Sequence, residues 1–200
     1  MVRRFLDELL GHLAGRAGSP PVEHHVVHGL PVRVVNTRPD IRTAEVLERL
    51  TAALDLVARY TPARYRRLRR DLSGFVVQRF ACRGAFFPDS RECLVELTFT
   101  VNPRHALPEI AASIVHEATH ARVAAMCRMR PAERHAREER LCRRAELELG
   151  LALPDGVGDV VLQRARQSLD LTDREVAPTV DWTEAARRVA EVDANARRSV

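Results

Sequence analysis

His116-Glu117-Ala118-Thr119-His120 lies inside a run from Leu107 to Arg130 that holds no helix breaker after Pro108. Leu107-Pro108-Glu109 reads as a helix start, with proline in the first turn and an acid beside it, and Pro131 closes the run. On a helix, residues four apart stand one turn from each other on the same face, so the imidazoles of His116 and His120 can converge on one ion. Glu117 is turned by about 100° from His116 and therefore stands beside that ion. A carboxylate there can take a proton from a water whose pKa zinc has brought to about 7. With His116 taken as the front, Ile114, Ala118, Ala111 and Ala125 form a small-residue apolar back suited to close packing. Ser113, Glu109, Ala112 and Ala124 share the front.

A catalytic zinc takes three protein ligands and keeps its fourth position for water, so a third donor is required. The pattern in which a third histidine follows on the same strip needs glycine at position 123 and histidine at 126, where this chain has Val123 and Met126. Cys127 shares the histidine face but lies about 10.5 Å further along the axis, too far for the same ion. The next predicted helix, Pro131 to about Leu151, offers Glu133, Glu138, Glu139, Glu146 and Glu148. Its apolar stripe runs Leu141, Cys142, Ala145, Leu149, and Glu138, Glu139 and Glu146 fall on it or at its border, whereas Glu133 and Glu148 do not. A carboxylate that faces a core needs a partner, and a dication supplies one.

His-Glu-x-x-His followed about twenty residues later by a glutamate on a second helix resembles the gluzincin branch of the zincin metallopeptidases. It is similar to small intracellular bacterial members whose HEATH helix is followed by a Glu-Arg-Leu-Cys-type segment, here Glu139-Arg140-Leu141-Cys142. The resemblance covers residues 75–150 and implies a zincin-like catalytic helix pair. It also implies His116, His120 and Glu139 as zinc ligands, Glu117 as general base, and a peptide or protein substrate. Better-known members carry an acid four residues after the ligand glutamate, where this chain has Arg143. Glu146, two turns from Glu139 on the same side, is then the candidate to brace a ligand histidine. Glu146 or Glu138 could instead be the third ligand.

Upstream, Cys93 to Val101 reads as a strand rich in β-branched residues, Phe75 to Phe80 as a shorter one, and Gly84 to Ser90 as the loop between them. In zincins, a sheet edge beside the active-site helix holds an extended substrate by main-chain pairing, and these strands stand in the chain order for that. Val22 to Val35, broken at His28-Gly29-Leu30-Pro31, reads as a hairpin; Thr43 to Tyr60 has helical apolar spacing, and Thr61-Pro62 starts a helix that closes near Ser73-Gly74. Gly156 to Leu169 and Trp182 to Ala194 read as helices joined by a proline-containing loop. The expected fold class is α+β, mainly helical, with a small antiparallel or mixed sheet. Residues 1–21 are an N-terminal helix and flexible joint: two arginines precede an apolar stretch there, but Asp7, Glu8 and His12 interrupt it and argue against a signal peptide. Residues 22–200 form a single domain, large enough at 22.5 kDa for the whole chain and 46% hydrophobic content to bury a core.

His105, His135, Tyr60 and Tyr65 are candidates to stabilise an oxyanion, a role that leaves no spacing signature. His24 and His28 alternate with His25 across a strand and do not converge as a trio. Cys82, Cys93, Cys127 and Cys142 form no Cys-x-x-Cys pair and read as reduced thiols in a cytoplasm. All 32 basic residues are arginine, the net charge is +5, and Arg64, Arg66, Arg67, Arg69 and Arg70 make a dense run. No binding fold or aromatic platform accompanies that run, so a solvated helix face is favoured over a nucleic-acid interface. The leading expectation is a zinc-dependent intracellular metallopeptidase with no membrane partner. The rivals are a zinc-stabilised regulatory or structural module and an arginine-rich nucleic-acid-binding module.

Overall fold

The computed structural model describes residues 21–126, 135–177 and 181–198. The N-terminal helix and nearly all of the joint after it, together with Cys127 and Glu133, lie outside the described residues. Val22–Val27 (β1) and Leu30–Val35 (β2) pair antiparallel around His28 and Gly29. Those two residues have φ of 54° and 76°, the two-residue turn whose twist matches that of its flanking strands. Helix α1 (Thr43–Tyr60) follows, then α2 (Pro62–Asp71), which starts with its proline where the missing N–H costs nothing. Gly74–Gln78 (β3) returns parallel to β2, and Glu92–Glu96 (β5) lies parallel to β3. Gly84–Phe87 (β4) pairs antiparallel with β5 at the edge, giving a five-stranded mixed sheet in the order β1-β2-β3-β5-β4.

The helices α4 (Leu107–Met126) and α5 (His135–Ala152) carry the two motifs, followed by α6 (Asp159–Leu169), a single turn α7 (Asp173–Val176) and α8 (Trp182–Arg198). The chain is thus mainly helical. Val46, Leu50, Ala53, Leu54 and Val57 repeat on one face of α1 and meet alternate strand residues, Val32, Val34, Phe75, Val77, Cys93 and Val95. Ile110, Ala111, Ile114 and Val115 of α4 close the same core. Among the described residues, no helix is long and apolar enough to cross a membrane.

Two sequence expectations fail locally. The stretch from Cys93 to Val101 is a strand only to Glu96, after which Leu97–Val101 forms a one-turn helix, α3. Glu96 caps it: its carboxylate accepts from the Phe99 N–H at 2.5 Å and the Thr98 hydroxyl at 2.7 Å, while the Thr100 hydroxyl bonds the Glu96 carbonyl at 2.8 Å. Local side-chain bonds override the β-branched composition. The stretch from Gly84 to Ser90 is no simple loop, because Gly84–Phe87 pairs with β5 as β4. The apolar back of α4 is also less distinct from its front than its pattern suggests, since Glu109, Ala112, Ser113, His116 and Glu117 are buried along with Ala111 and Ile114, whereas Ala125 is exposed.

Close approach of α5 to the start of α6 depends on a glycine pair. A Cβ on Gly158 would fall 2.2 Å from the Gly150 carbonyl oxygen, and one on Gly150 would meet the Leu162 side chain at 2.8 Å. A Gly158→Ala protein should therefore lose about 1–3 kcal/mol of stability in urea unfolding through forced displacement of backbone. An unchanged midpoint would show that this crossing has slack.

Candidate metal centre

Helices α4 and α5 run antiparallel, since His116 faces Glu146 while His120 faces Glu138. At their crossing the Nε2 atoms of His116 and His120 stand 3.2 Å apart. The Glu139 carboxylate closes the group, with Oε2 3.2 Å from His116 Nε2 and Oε1 3.3 Å from His120 Nε2. Ligands at the corners of a tetrahedron with bonds of about 2.0–2.1 Å lie about 3.3–3.4 Å apart, so the spacing and the N, N, O donor set both fit zinc.

The outward nitrogens are engaged as well. His116 Nδ1 bonds Glu146 Oε1 at 2.6 Å, and His120 Nδ1 bonds Glu138 Oε1 at 2.8 Å. A proton on each Nδ1 donates to its carboxylate and leaves the Nε2 lone pair directed at the shared point. Glu146, expected as a brace, holds the position next to His116, and Arg143 donates to the same oxygen at 2.8 Å. Glu138, weighed only as an alternative ligand, instead accepts from the outer nitrogen of His120. Its place on the apolar stripe was the available signal; that it serves an imidazole becomes clear only from the crossing of the helices.

A second donor lies close by. Cys142, one turn beyond Glu139 on α5, is buried, and ligand atoms of His116, His120 and Cys142 fall within 4.8 Å of one another. The two Glu139 oxygens stand at tetrahedral spacing, one from each Nε2 atom, and the Cys142 thiol comes within hydrogen-bonding reach of His120.

Glu117 is buried, and Gly84 of β4 lies against it. A Cβ on Gly84 would fall 2.9 Å from Ser113 Oγ, 3.1 Å from Glu117 Cγ and 3.2 Å from Glu117 Oε1. Only glycine lets the edge strand come this close to α4, a requirement that the glycine's place in an apparent loop concealed. Burial pushes the Glu117 carboxyl above its ordinary value; the two imidazoles oppose that, and Glu139 and Glu146 add to it.

The other candidate residues do not join this group. His105 bonds Glu109 at 3.3 Å, and its ring lies 4.9 Å from that of Phe99; the Tyr65 hydroxyl bonds His28 Nδ1 at 2.6 Å. Tyr60 packs at the edge of the core, and His135 is exposed. His28 also reaches Asp55 at 3.1 Å, and His25 stands 3.4 Å from Glu23. Cys82 and Cys93 are free thiols. Of the arginine run on α2, Arg64 pairs with Glu148 and Arg70 with Asp71. No protein-family model, curated protein or solved structure matches the chain.

Without an ion, protons take over the balancing charge. Burial pulls the His116 imidazolium down, but its bonds to Glu139 and Glu146 outweigh this and push it up to about 10 from 6.5. His120 also lies well above its ordinary value, with burial opposed by Cys142, Glu138 and Glu139. A raised folded pKa means that the proton's stabilising effect is complete below about 6.5 and is lost as pH climbs through about 10. A zinc ion at this point would compete with protons for the same nitrogens, so zinc uptake near neutral pH should release at least one proton per ion, and apparent affinity should rise with pH. Calorimetric zinc titrations in buffers of different ionisation enthalpy measure the release. Zero release would show that the imidazoles do not receive the metal.

Proposed function

We propose that the chain is a zinc-dependent hydrolase of peptide bonds, with His116, His120 and Glu139 as zinc ligands and Glu117 as general base. The observation that carries this reading is the convergence of two imidazole nitrogens and one carboxylate from two helices, the nitrogens 3.2 Å apart and each 3.2–3.3 Å from one Glu139 oxygen, with both outer imidazole nitrogens already bonded to carboxylates. A zinc ion there would supply Lewis acidity, making water acidic near neutral pH and polarising a carbonyl.

The remaining work falls to the chain's own groups. Glu138 and Glu146 fix the tautomer and tilt of the two imidazoles. Glu117 extends from the next position of α4 toward β4, in a buried setting that raises its proton affinity. It is suited to take a proton from the attacking water and return it to the leaving nitrogen. Among the described residues β4 is an edge strand, and an extended substrate could add to it by main-chain pairing. Free thiols at Cys82, Cys93 and Cys142 suit a reducing compartment such as the cytoplasm.

A Glu117→Gln protein should keep its zinc while hydrolysis falls about 10²–10⁴-fold, and His120→Ala should lose the metal. Zinc content by elemental analysis and cleavage of a broad peptide library by mass spectrometry check both; undiminished turnover in Glu117→Gln would discard the mechanism.

The proximity of Cys142 favours one other reading, a closed four-ligand centre of structural type. Cobalt-loaded protein separates the two. Ligation by His116, His120 and Glu139 alone gives a spectrum without thiolate-to-metal charge transfer and indifferent to Cys142→Ser. A charge-transfer band that this substitution removes would make the centre a closed one.

A further inference from the structure

Beside the metal centre, on the Glu146 side of His116, Arg143 bonds Glu146, and Arg164 lies within electrostatic reach of Glu146 and of two further arginines, Arg83 and Arg143. Arg83 immediately precedes β4, Arg143 lies on α5 and Arg164 on α6. Arg83 is anchored by Glu109 at 3.1 Å and lies over the Phe99 ring at 4.9 Å. Arg143 uses one nitrogen on Glu146 at 2.8 Å, while its Nε is buried without a hydrogen-bond partner. Arg164 is half-buried, and among the described residues no carboxylate lies within ion-pairing distance of its guanidinium.

The local charge is unbalanced. Glu109 already accepts from Arg83 and the Ala106 N–H, and Glu146 Oε1 is shared between Arg143 and His116. Burial holds the Arg164 guanidinium below its ordinary pKa. Glu146 opposes this, Arg83 and Arg143 reinforce it, and Glu109 opposes it. A buried donor without an acceptor costs about 1–3 kcal/mol, and crowded like charges add to that cost. A bound anion would relieve both.

We propose that Arg164, with Arg143 and Arg83, forms a carboxylate-binding site that receives an acidic group of the substrate next to the metal centre. A carboxylate matches the planar fork of a guanidinium in two parallel bonds, and here it would also face the unpartnered Nε of Arg143. The site borders the catalytic groups directly: Arg83 adjoins Gly84, which packs on Ser113 and Glu117, and Glu146 joins Arg143 to His116. Arg164 is then a specificity-determining residue that touches substrate. The substrate assignment rests on the peptidase reading, whereas the affinity for a carboxylate does not.

The test uses zinc-loaded full-length protein carrying Glu117→Gln, so that peptides bind without turnover. Acetyl-tetra-alanine is compared as free acid and as amide by calorimetry, alongside amidated versions with one aspartate at each inner position. A carboxylate-bearing peptide should bind about ten- to a hundredfold more tightly than the neutral amide. Preference for the free acid identifies a chain terminus as the source, and preference for an aspartate peptide identifies a side chain. Arg164→Gln should abolish the preference. Arg164→Lys, which keeps charge and bulk but not the fork, should lose most of the preference and serves if the glutamine variant does not fold. Equal binding of acid and amide, or a preference that survives both substitutions, overturns the proposal. If no peptide binds at all, the peptidase reading fails and acetate decides the site: at constant ionic strength it should raise the unfolding temperature more in the parent than in Arg164→Lys. An equal rise in both would sink the proposal.

Discussion

Four glutamates and two histidines meet between α4 and α5 in surroundings that exclude most water. Glu117, Glu138, Glu146 and His116 are buried, and Glu139 is largely so. An unpaired charge in such a place is costly, and breaking a buried pair by removing one member costs more than the pair contributes. The cluster therefore requires positive charge in amount and position. Protons on the imidazoles supply it, and a dication at the shared Nε2 point would supply it equally, which would make the centre a folding element as well as a candidate catalytic one. Everything that brings α4 against α5 acts through this balance.

The scaffold contributes by making the approach tight. The core face of α1 and the inner face of the sheet trap the back of α4 through Ile110, Ala111 and Ile114, which are fully buried. Edge strand β4 comes close to the front of α4 through Gly84, and the Gly150–Gly158 contact draws α6 onto α5. The last two of these contacts depend on residues without a side chain. A helix gripped on several sides has few ways to rotate, and so the imidazoles hold their mutual spacing without help from long loops.

The parts of this arrangement that follow helical or strand periodicity can be read from the chain. Residues four apart on a helix share a face in any protein, so His116 and His120 were bound to neighbour one another, and the stripe of α5 put Glu138, Glu139 and Glu146 toward a core. The β1–β2 hairpin and α1 follow from apolar alternation and spacing in the same way. What periodicity leaves open is which of three inward carboxylates meets which nitrogen, because that depends on the offset between two antiparallel helices. Glu96 illustrates a second blind spot. A strand-like run turned into helix because one carboxylate found two local donors, a competition that composition does not record. Gly84 and Arg164 illustrate a third: a glycine in an apparent loop and one arginine among 32 basic residues acquire meaning only through neighbours distant in sequence.

Glu146 occupies the boundary between two positive regions of different kind. On one side it accepts from His116, whose other nitrogen faces the metal point; on the other it accepts from Arg143, with Arg164 close by. Both of those bonds are made by one oxygen, Oε1, so a change in the charge of the imidazole alters the same acceptor that steadies the arginines. An imidazolium at His116 would attract Glu146 Oε1 more strongly than a neutral ring, at the expense of its bond to Arg143. When the imidazole is neutral and its Nε2 lone pair is committed elsewhere, Glu146 is freer to offset the arginines. An ion at the metal point and an anion on the arginines would therefore be linked through a single carboxylate, and by reciprocity each would influence the other by the same free energy.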